Sequence, residues 1–289
     1  MPTPFLTLAA LNAMPPEGFV AALGEVFEHA PWVAQAAAPD RPYATVAALH
    51  DAMIGAVRRQ PPDRQLAFIG GHPELGSRVA RAELTDASKF EQGGLGLDRL
   101  SADEFATFSR LNRSYREKFR FPFIICVRRH TRDSILAQFE RRLGNDIAAE
   151  RAQALDEIGL ITRLRLNALV DGPGKPITEG RLSTHVLDVT TGRPAAGIKL
   201  TLHEIGGSAR GLIAETVTNA DGRTDRPLIS GEPLRIGTYE LTFHVGDYFR
   251  AGTPFLDAVP IRFAIAEPEG HYHVPLLMTP WSYTTYRGS

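Results

Sequence analysis

Between residue 1 and about residue 170, apolar side chains recur three and four positions apart, as in Phe19, Leu23, Val26 and Phe27 and again in Val46, Leu49, Met53 and Val57. That spacing is the repeat of one helix face, so this half is expected to be all or mostly helical. Ser101-Ala102-Asp103-Glu104 reads as a capping box opening a helix that runs toward Phe119. The serine can accept from an orphan backbone amide while the glutamate reaches back to the cap. Pro122 ends that pattern, another helix is expected after Thr131, and a long one fills Asp146 to Val170. Asp171-Gly172-Pro173-Gly174-Lys175-Pro176 cannot continue a helix. Beyond it the period shifts toward two. Lys199-Leu200-Thr201-Leu202-His203, Thr238 to His244 and Ile261 to Ile265 alternate as half-buried strands do. Asn219-Ala220-Asp221-Gly222 is read as a turn between strands, its glycine free to take positive φ. Short strands separated by turns suggest a β-sandwich. The expected organisation is multidomain, α then β: an all-helical domain over 1–171, a linker over 172–179 and a sandwich over 180–289.

The 289 residues carry a formal net charge of −1 with acidic and basic side chains nearly matched. No electrostatic field therefore points to nucleic acid or an anionic membrane, and small neutral or anionic ligands are the expected partners. The single cysteine, Cys126, lies in the apolar run Phe121-Pro122-Phe123-Ile124-Ile125-Cys126-Val127. It reads as a buried structural thiol and excludes a disulfide framework or a cysteine-rich metal site. No segment reaches membrane-spanning length and the first residues lack the features of a signal peptide, so the expected location is cytoplasmic. Arg128-Arg129-His130 and Arg141-Arg142 read as solvated faces, and Trp32 and Trp281 as core or interface.

Candidate chemistry lies in both halves. In the second, Leu182-Ser183-Thr184-His185-Val186-Leu187-Asp188 and His271-Tyr272-His273-Val274-Pro275-Leu276-Leu277 are strand-like and carry histidines, Arg223 follows the turn at Asp221-Gly222, and the chain ends in Tyr286-Arg287-Gly288-Ser289. A terminal tetrapeptide is usually frayed, so one this distinctive behind a strand is expected to be held in a site. Taken singly, His185 could be a structural strand histidine and Arg223 a solvated charge. His271 and His273 share a strand face at a spacing that could hold zinc, but no cysteine, aspartate or glutamate stands at ligand spacing, and no metal is expected. Together these motifs resemble 5-hydroxyisourate hydrolase, the enzymatic relative of transthyretin, from about Gly180 to Ser289. The resemblance implies a transthyretin-like sandwich in which His185, Arg223 and His273 polarise water and substrate without a metal. Ser289, with Tyr286, Arg287 and Gly288, would orient the ligand. Which group takes the proton is left open.

In the first half, Gly70-Gly71-His72-Pro73-Glu74-Leu75-Gly76, Ser88-Lys89-Phe90-Glu91-Gln92, Leu111 to Phe119 and Phe121 to Ile125 resemble 2-oxo-4-hydroxy-4-carboxy-5-ureidoimidazoline (OHCU) decarboxylase. The resemblance implies an all-helical fold and a cofactor-free decarboxylation yielding allantoin, with Pro73, Ser88, Gln92 and Ile125 lining the pocket. His72 suits proton transfer near neutral pH, and Glu91 can accept from ureido or ring nitrogens while holding the imidazole. Leu155, Ile158, Thr162, Arg165 and Leu169 follow three- and four-residue steps, which puts Arg165 on the packed face as the candidate anion holder. The alternative is that Arg165 pairs with an internal carboxylate such as Glu91. Arg163 points to one side and reads as solvated.

The two resemblances together imply a bifunctional enzyme that takes 5-hydroxyisourate to OHCU and then to (S)-allantoin, without cofactors and as a homo-oligomer through the transthyretin-like domain. The rival reading is a transthyretin-like binding or carrier protein with one or both sites inactive. The terminal Tyr-Arg-Gly-Ser and the polar trio His185, Arg223 and His273 argue against it, since an apolar ligand would prefer an apolar lining.

Overall fold

In the computed structural model, which describes residues 6–75, 91, 101–206, 209–250 and 255–288, the first half is built from helices whose starts are written in the sequence. They are α1 (Leu8–Ala13), α2 (Pro16–Leu23), α3 (Pro31–Ala37), α4 (Val46–Arg58), α5 (Pro62–Gly70), α6 (Ala102–Phe119), α7 (Arg132–Arg142) and α8 (Ile147–Leu169). Proline opens α2, α3 and α5, where its fixed φ suits a helix and its missing amide costs no bond. Thr7, Thr45, Ser101 and Asp146 cap α1, α4, α6 and α8, each accepting from a backbone amide three residues on. The box at Ser101 is complete, because Glu104 accepts from the Ser101 amide at 2.7 Å. α6 stops before Pro122 can act: Arg120 adopts a left-handed φ of 65°, and its amide closes on Arg116 O at 3.0 Å. α2 likewise ends at Leu23, so Val26 and Phe27 stay buried from a turn rather than from the helix. A two-residue parallel pairing of β1 (Leu6–Thr7) with β2 (Val170–Asp171) is the non-helical exception.

The chain divides into two compact units, Met1–Arg128 with Ile135–Ile177 and Arg129–Ser134 with Thr178–Ser289. The core of the first gathers Leu11, Phe19, Phe27, Met53, Phe108, Tyr115 and Phe139, with Cys126 buried beside it. One reading of the charged pairs is corrected here. Arg141 is exposed, but Arg142 is wholly buried and paired with the equally buried Glu150 at 2.5 Å. Arg142 Nη1 donates to Ile124 O at 2.7 Å, and the Tyr115 hydroxyl donates to Glu150. In the second unit His130 is also buried, and Arg129 pairs with Glu269. Removing one partner of a buried pair leaves an uncompensated charge. Arg142→Ala is therefore expected to lower stability by about 3–5 kcal/mol, measured as a shift in the chemical denaturation of the full chain.

The second unit contains β3 (Arg181–Asp188), β4 (Arg193–Pro194), β5 (Lys199–Gly206), β6 (Ala209–Val217), β7 (Gly237–His244), β8 (Ala258–Ile265), β9 (His271–Met278) and β10 (Tyr283–Thr285). They form two four-stranded sheets, ordered β10-β9-β3-β4 and β6-β5-β7-β8. The inner faces bury Leu182, Val186, Leu200, Leu202, Leu241, Phe243, Leu276 and Met278. β3 and β9 run parallel, with Ser183 opposite His273 and His185 opposite Pro275. Since alternate residues face opposite ways, the strand that buries Leu182 and Val186 presents Ser183 and His185 on the other face. Tyr272 and Val274 go inward in the same way, and His271 and His273 go outward. Trp32 packs against the helical core, whereas Trp281 is exposed. Among the described residues, no helix is long and apolar enough to cross a membrane.

Candidate active sites

The helical unit closes a pocket around His72, Pro73, Glu91, Ile125 and Arg165, five of the residues expected from sequence. Ser88 and Gln92 lie outside the described residues. α8 brings Arg165 and Thr162 to one side, one turn apart. The end of α5 supplies His72, and the segment after α6 supplies Phe123, Ile124 and Ile125. Arg165 grips Glu91 bidentately, Nε to Oε1 at 3.0 Å and Nη2 to Oε2 at 2.8 Å, and its Nη1 donates to Glu28 Oε2 at 2.8 Å. The internal ion pair weighed as the alternative for Arg165 is thus formed, and a second carboxylate joins it. Burial alone would lower the Arg165 pKa, but the hydrogen bonds and charges of Glu91 and then Glu28 outweigh it, so the guanidinium stays charged. Arg163 is half-buried on the neighbouring side of α8 rather than solvated.

His72 Nδ1 sits 3.1 Å from Phe68 O. A carbonyl can only accept, so that nitrogen carries the proton and Nε2 keeps the lone pair. The Phe68 ring stands edge-on to the imidazole at 5.1 Å. Burial pushes the His72 pKa below its usual value; the Phe68 hydrogen bond and the Glu28 charge oppose this, and Arg165 adds to it. The ring is therefore a neutral base in an apolar wall beside a charged triad. Sequence reasoning missed Glu28, which sits in the turn between α2 and α3 and is only 4% exposed. The available signal was its place beside the apolar pair Val26-Phe27 and just before Pro31, although a turn glutamate ordinarily reads as solvated.

On the sandwich, His185, Arg223 and His273 come together on the outer face of the β3–β9 pair. The turn after β6 forms as expected: Asn219 Oδ1 accepts from the amides of Asp221 and Arg223, and Gly222 takes φ of 68°. A side chain at Gly222 would strike Val186 O, so glycine there lets the turn lie against β3 and deliver Arg223. The His185 ring bonds the Asp221 backbone, and its buried Nε2 has no hydrogen-bond partner among the described residues. Burial first, and then Arg223, lower the pKa values of both His185 and His273, with His271, His185 and Arg181 adding to the effect on His273. Arg223 is exposed and makes no ion pair among the described residues, unlike the doubly held Arg165. An unneutralised guanidinium beside two neutral imidazoles is suited to meet developing negative charge on a substrate oxygen.

The chain end runs back along β9. Thr285 pairs with Leu276, and the Gly288 amide donates to His273 O at 2.9 Å. Arg287 stacks over Tyr272 at 4.7 Å and faces Glu267, while Tyr286 is largely exposed. Ser289 lies outside the described residues. Ser183, quoted in the strand motif but not singled out as a site residue, bridges His271 and His273.

Comparison with known proteins gives one match per half. The OHCU decarboxylase family profile matches residues 12–167, and the HIUase/Transthyretin family profile matches residues 182–288. A 5-hydroxyisourate hydrolase of Deinococcus radiodurans is 58% identical over 113 residues, 37% of this chain and 95% of that protein. A 2-oxo-4-hydroxy-4-carboxy-5-ureidoimidazoline decarboxylase of Haloferax volcanii is 44% identical over 161 residues, 56% of this chain and 94% of that protein. A solved structure described as (S)-allantoin synthase is similar across both halves, with 34% identity, a TM-score of 0.53, and coverage of 98% of this chain and 100% of that one.

Proposed function

The chain belongs to the OHCU decarboxylase family through residues 12–167 and to the HIUase/Transthyretin family through residues 182–288, and from that membership we propose how its residues divide two consecutive reactions. The enzyme hydrolyses 5-hydroxyisourate to OHCU on the sandwich and decarboxylates OHCU to (S)-allantoin in the helical unit, in urate degradation. The observation that carries this reading is that one chain holds both polar constellations and resembles, end to end, a structure described as (S)-allantoin synthase. A carrier role for the sandwich is disfavoured, because the face that would hold an apolar ligand is lined by Ser183, His185, His271 and His273.

In the helical pocket, His72 Nε2 takes the hydroxyl proton of OHCU as the bond to the carboxylate breaks and returns it to one face of the neighbouring ring carbon, while solvent supplies the one proton that takes the place of carbon dioxide. The ring system delocalises the electron pair left behind, so positioned charges are what the protein must add. Arg165 is gripped by Glu91 and Glu28, so its charge is already met and it fixes the orientation of Glu91 beside the substrate. Glu91 accepts from ureido or ring nitrogens, and the apolar wall of Ile124 and Ile125 excludes water. Pro73 completes the described lining. On the sandwich, His273 and His185 handle the proton of the attacking water, Arg223 faces the oxyanion, and the Tyr286 to Ser289 tail orients the ligand. A base must be neutral to act, so the decarboxylation rate holds above the His72 pKa and falls as pH drops through it. Since that pKa is depressed from 6.5, the acid limb of kcat/KM for OHCU is expected below the ordinary imidazole value, read from a pH–rate profile.

We also propose a homo-oligomer assembled through the sandwich. Among the described residues β10 and β8 each end a sheet, and the exposed Trp281 precedes β10 while the exposed Tyr283 opens it. Light scattering is expected to give a mass above one chain; a fully active monomer would refute it. The test of the whole reading is circular dichroism after freshly prepared 5-hydroxyisourate is added. Rapid appearance of optically active allantoin requires both reactions, whereas slow, racemic product would mean that one unit is inert.

A further inference from the structure

Ser183 Oγ lies 2.9 Å from His271 Nε2 and 3.0 Å from His273 Nδ1. The parallel register sets Ser183 opposite His273 and one step from His271 on the same sheet face, with His271 exposed. A hydroxyl has one proton to give, so it can donate to only one ring and must accept from the other. When it donates to His271, His273 holds its proton on Nδ1 and keeps the Nε2 lone pair for the site. When it donates to His273, that lone pair is lost. The tautomers of the two histidines are therefore coupled through one serine.

We propose that His273, Ser183 and His271 form a proton wire that sets His273 as the base of ring opening and carries the released proton from the site to solvent. The inference rests on reading the sandwich as the hydrolase site. Hydrolysis of a cyclic amide bond to a carboxylate and a non-basic nitrogen releases one proton at neutral pH, so one of the two water protons must leave. As the water oxygen bonds the carbonyl carbon, its first proton passes to His273 Nε2. His273 hands its Nδ1 proton to Ser183, Ser183 hands its own to His271 Nε2, and His271 releases one to bulk water. The C–N bond then breaks, the nitrogen keeps the electron pair and takes the second water proton, and the product leaves as a carboxylate. Proton exchange with water at both rings restores the starting tautomers. The charged and titratable groups facing His273 are Arg223, His271, His185 and Arg181. A proton taken up there meets positive charge and is driven outward.

The test measures 5-hydroxyisourate decay in the full chain for Ser183→Ala, Ser183→Thr, His271→Gln and His273→Ala, with circular dichroism and the thermal melting of the same samples as the check on folding. Ser183→Ala and His271→Gln are expected to lower kcat by about tenfold or more with little change in KM. Millimolar imidazole is expected to restore much of that loss, and Ser183→Thr is expected to stay near wild type. Wild-type kcat in Ser183→Ala, or a loss that no diffusible buffer base relieves, would overturn the wire and leave Ser183 a structural partner. Full ring opening by His273→Ala would instead overturn the assignment of the hydrolase site.

Discussion

His72→Ala is expected to leave 5-hydroxyisourate consumption unchanged while OHCU accumulates, with decarboxylation slowed by about 10²–10⁴-fold, the span that a positioned proton-transfer group contributes. The size follows from how the ring is prepared. Its Nδ1 is committed to Phe68 O, burial keeps it neutral, and no other described imidazole lines that pocket. His72 is half-buried at the end of α5 rather than in the centre of the core, so alanine there should remove the base without unfolding the unit. The measurement follows both ultraviolet signals in one cuvette: loss of 5-hydroxyisourate at the wild-type rate followed by slow spontaneous decay of OHCU. A decarboxylation defect under tenfold would take His72 out of the reaction.

Fusing a tag after Ser289, or deleting residues 286–289, is expected to abolish ring opening while decarboxylation and the melting temperature stay nearly constant. Gly288 pairs with His273 through the backbone, and a Cβ at position 288 would come within 2.6 Å of His273 Cδ2. The tail therefore lies against the ring assigned as base, and only glycine fits there. Displacing reacting groups by about an ångström can cost roughly 10²-fold, whereas Tyr286 and Arg287 bury too little surface to matter for stability. Decay of 5-hydroxyisourate with C-tagged and N-tagged protein side by side decides it. Equal rates would mean that the tail is ordinary surface.

Much of this was legible locally. The capping box at Ser101, the helix after Thr131, the long helix to Leu169 and the strands about Leu200, Leu241 and Phe263 all stand where their periods place them. His72 and Glu91 were legible as motif residues and Arg165 from its helical spacing, and their convergence is what the fold adds. Arg142 shows a signal that was present and unread. It follows Ile135 and Phe139 by seven and three residues, on the buried stripe of α7, while its neighbour Arg141 falls on the solvent side.

What the sequence determined by itself was therefore the class of each half, the position of the change from helical to strand period, and the residue types available for each reaction. These depend on interactions a few residues apart. Tertiary structure alone decided that a turn glutamate, Glu28, would be buried against Arg165, 137 positions away. It alone decided that Ser183 would stand between two histidines about 90 positions further along. A carboxylate's burial depends on which helices close over its turn. A serine's partner depends on the register of two distant parallel strands, where a slip of one residue would turn His273 from the polar face into the core.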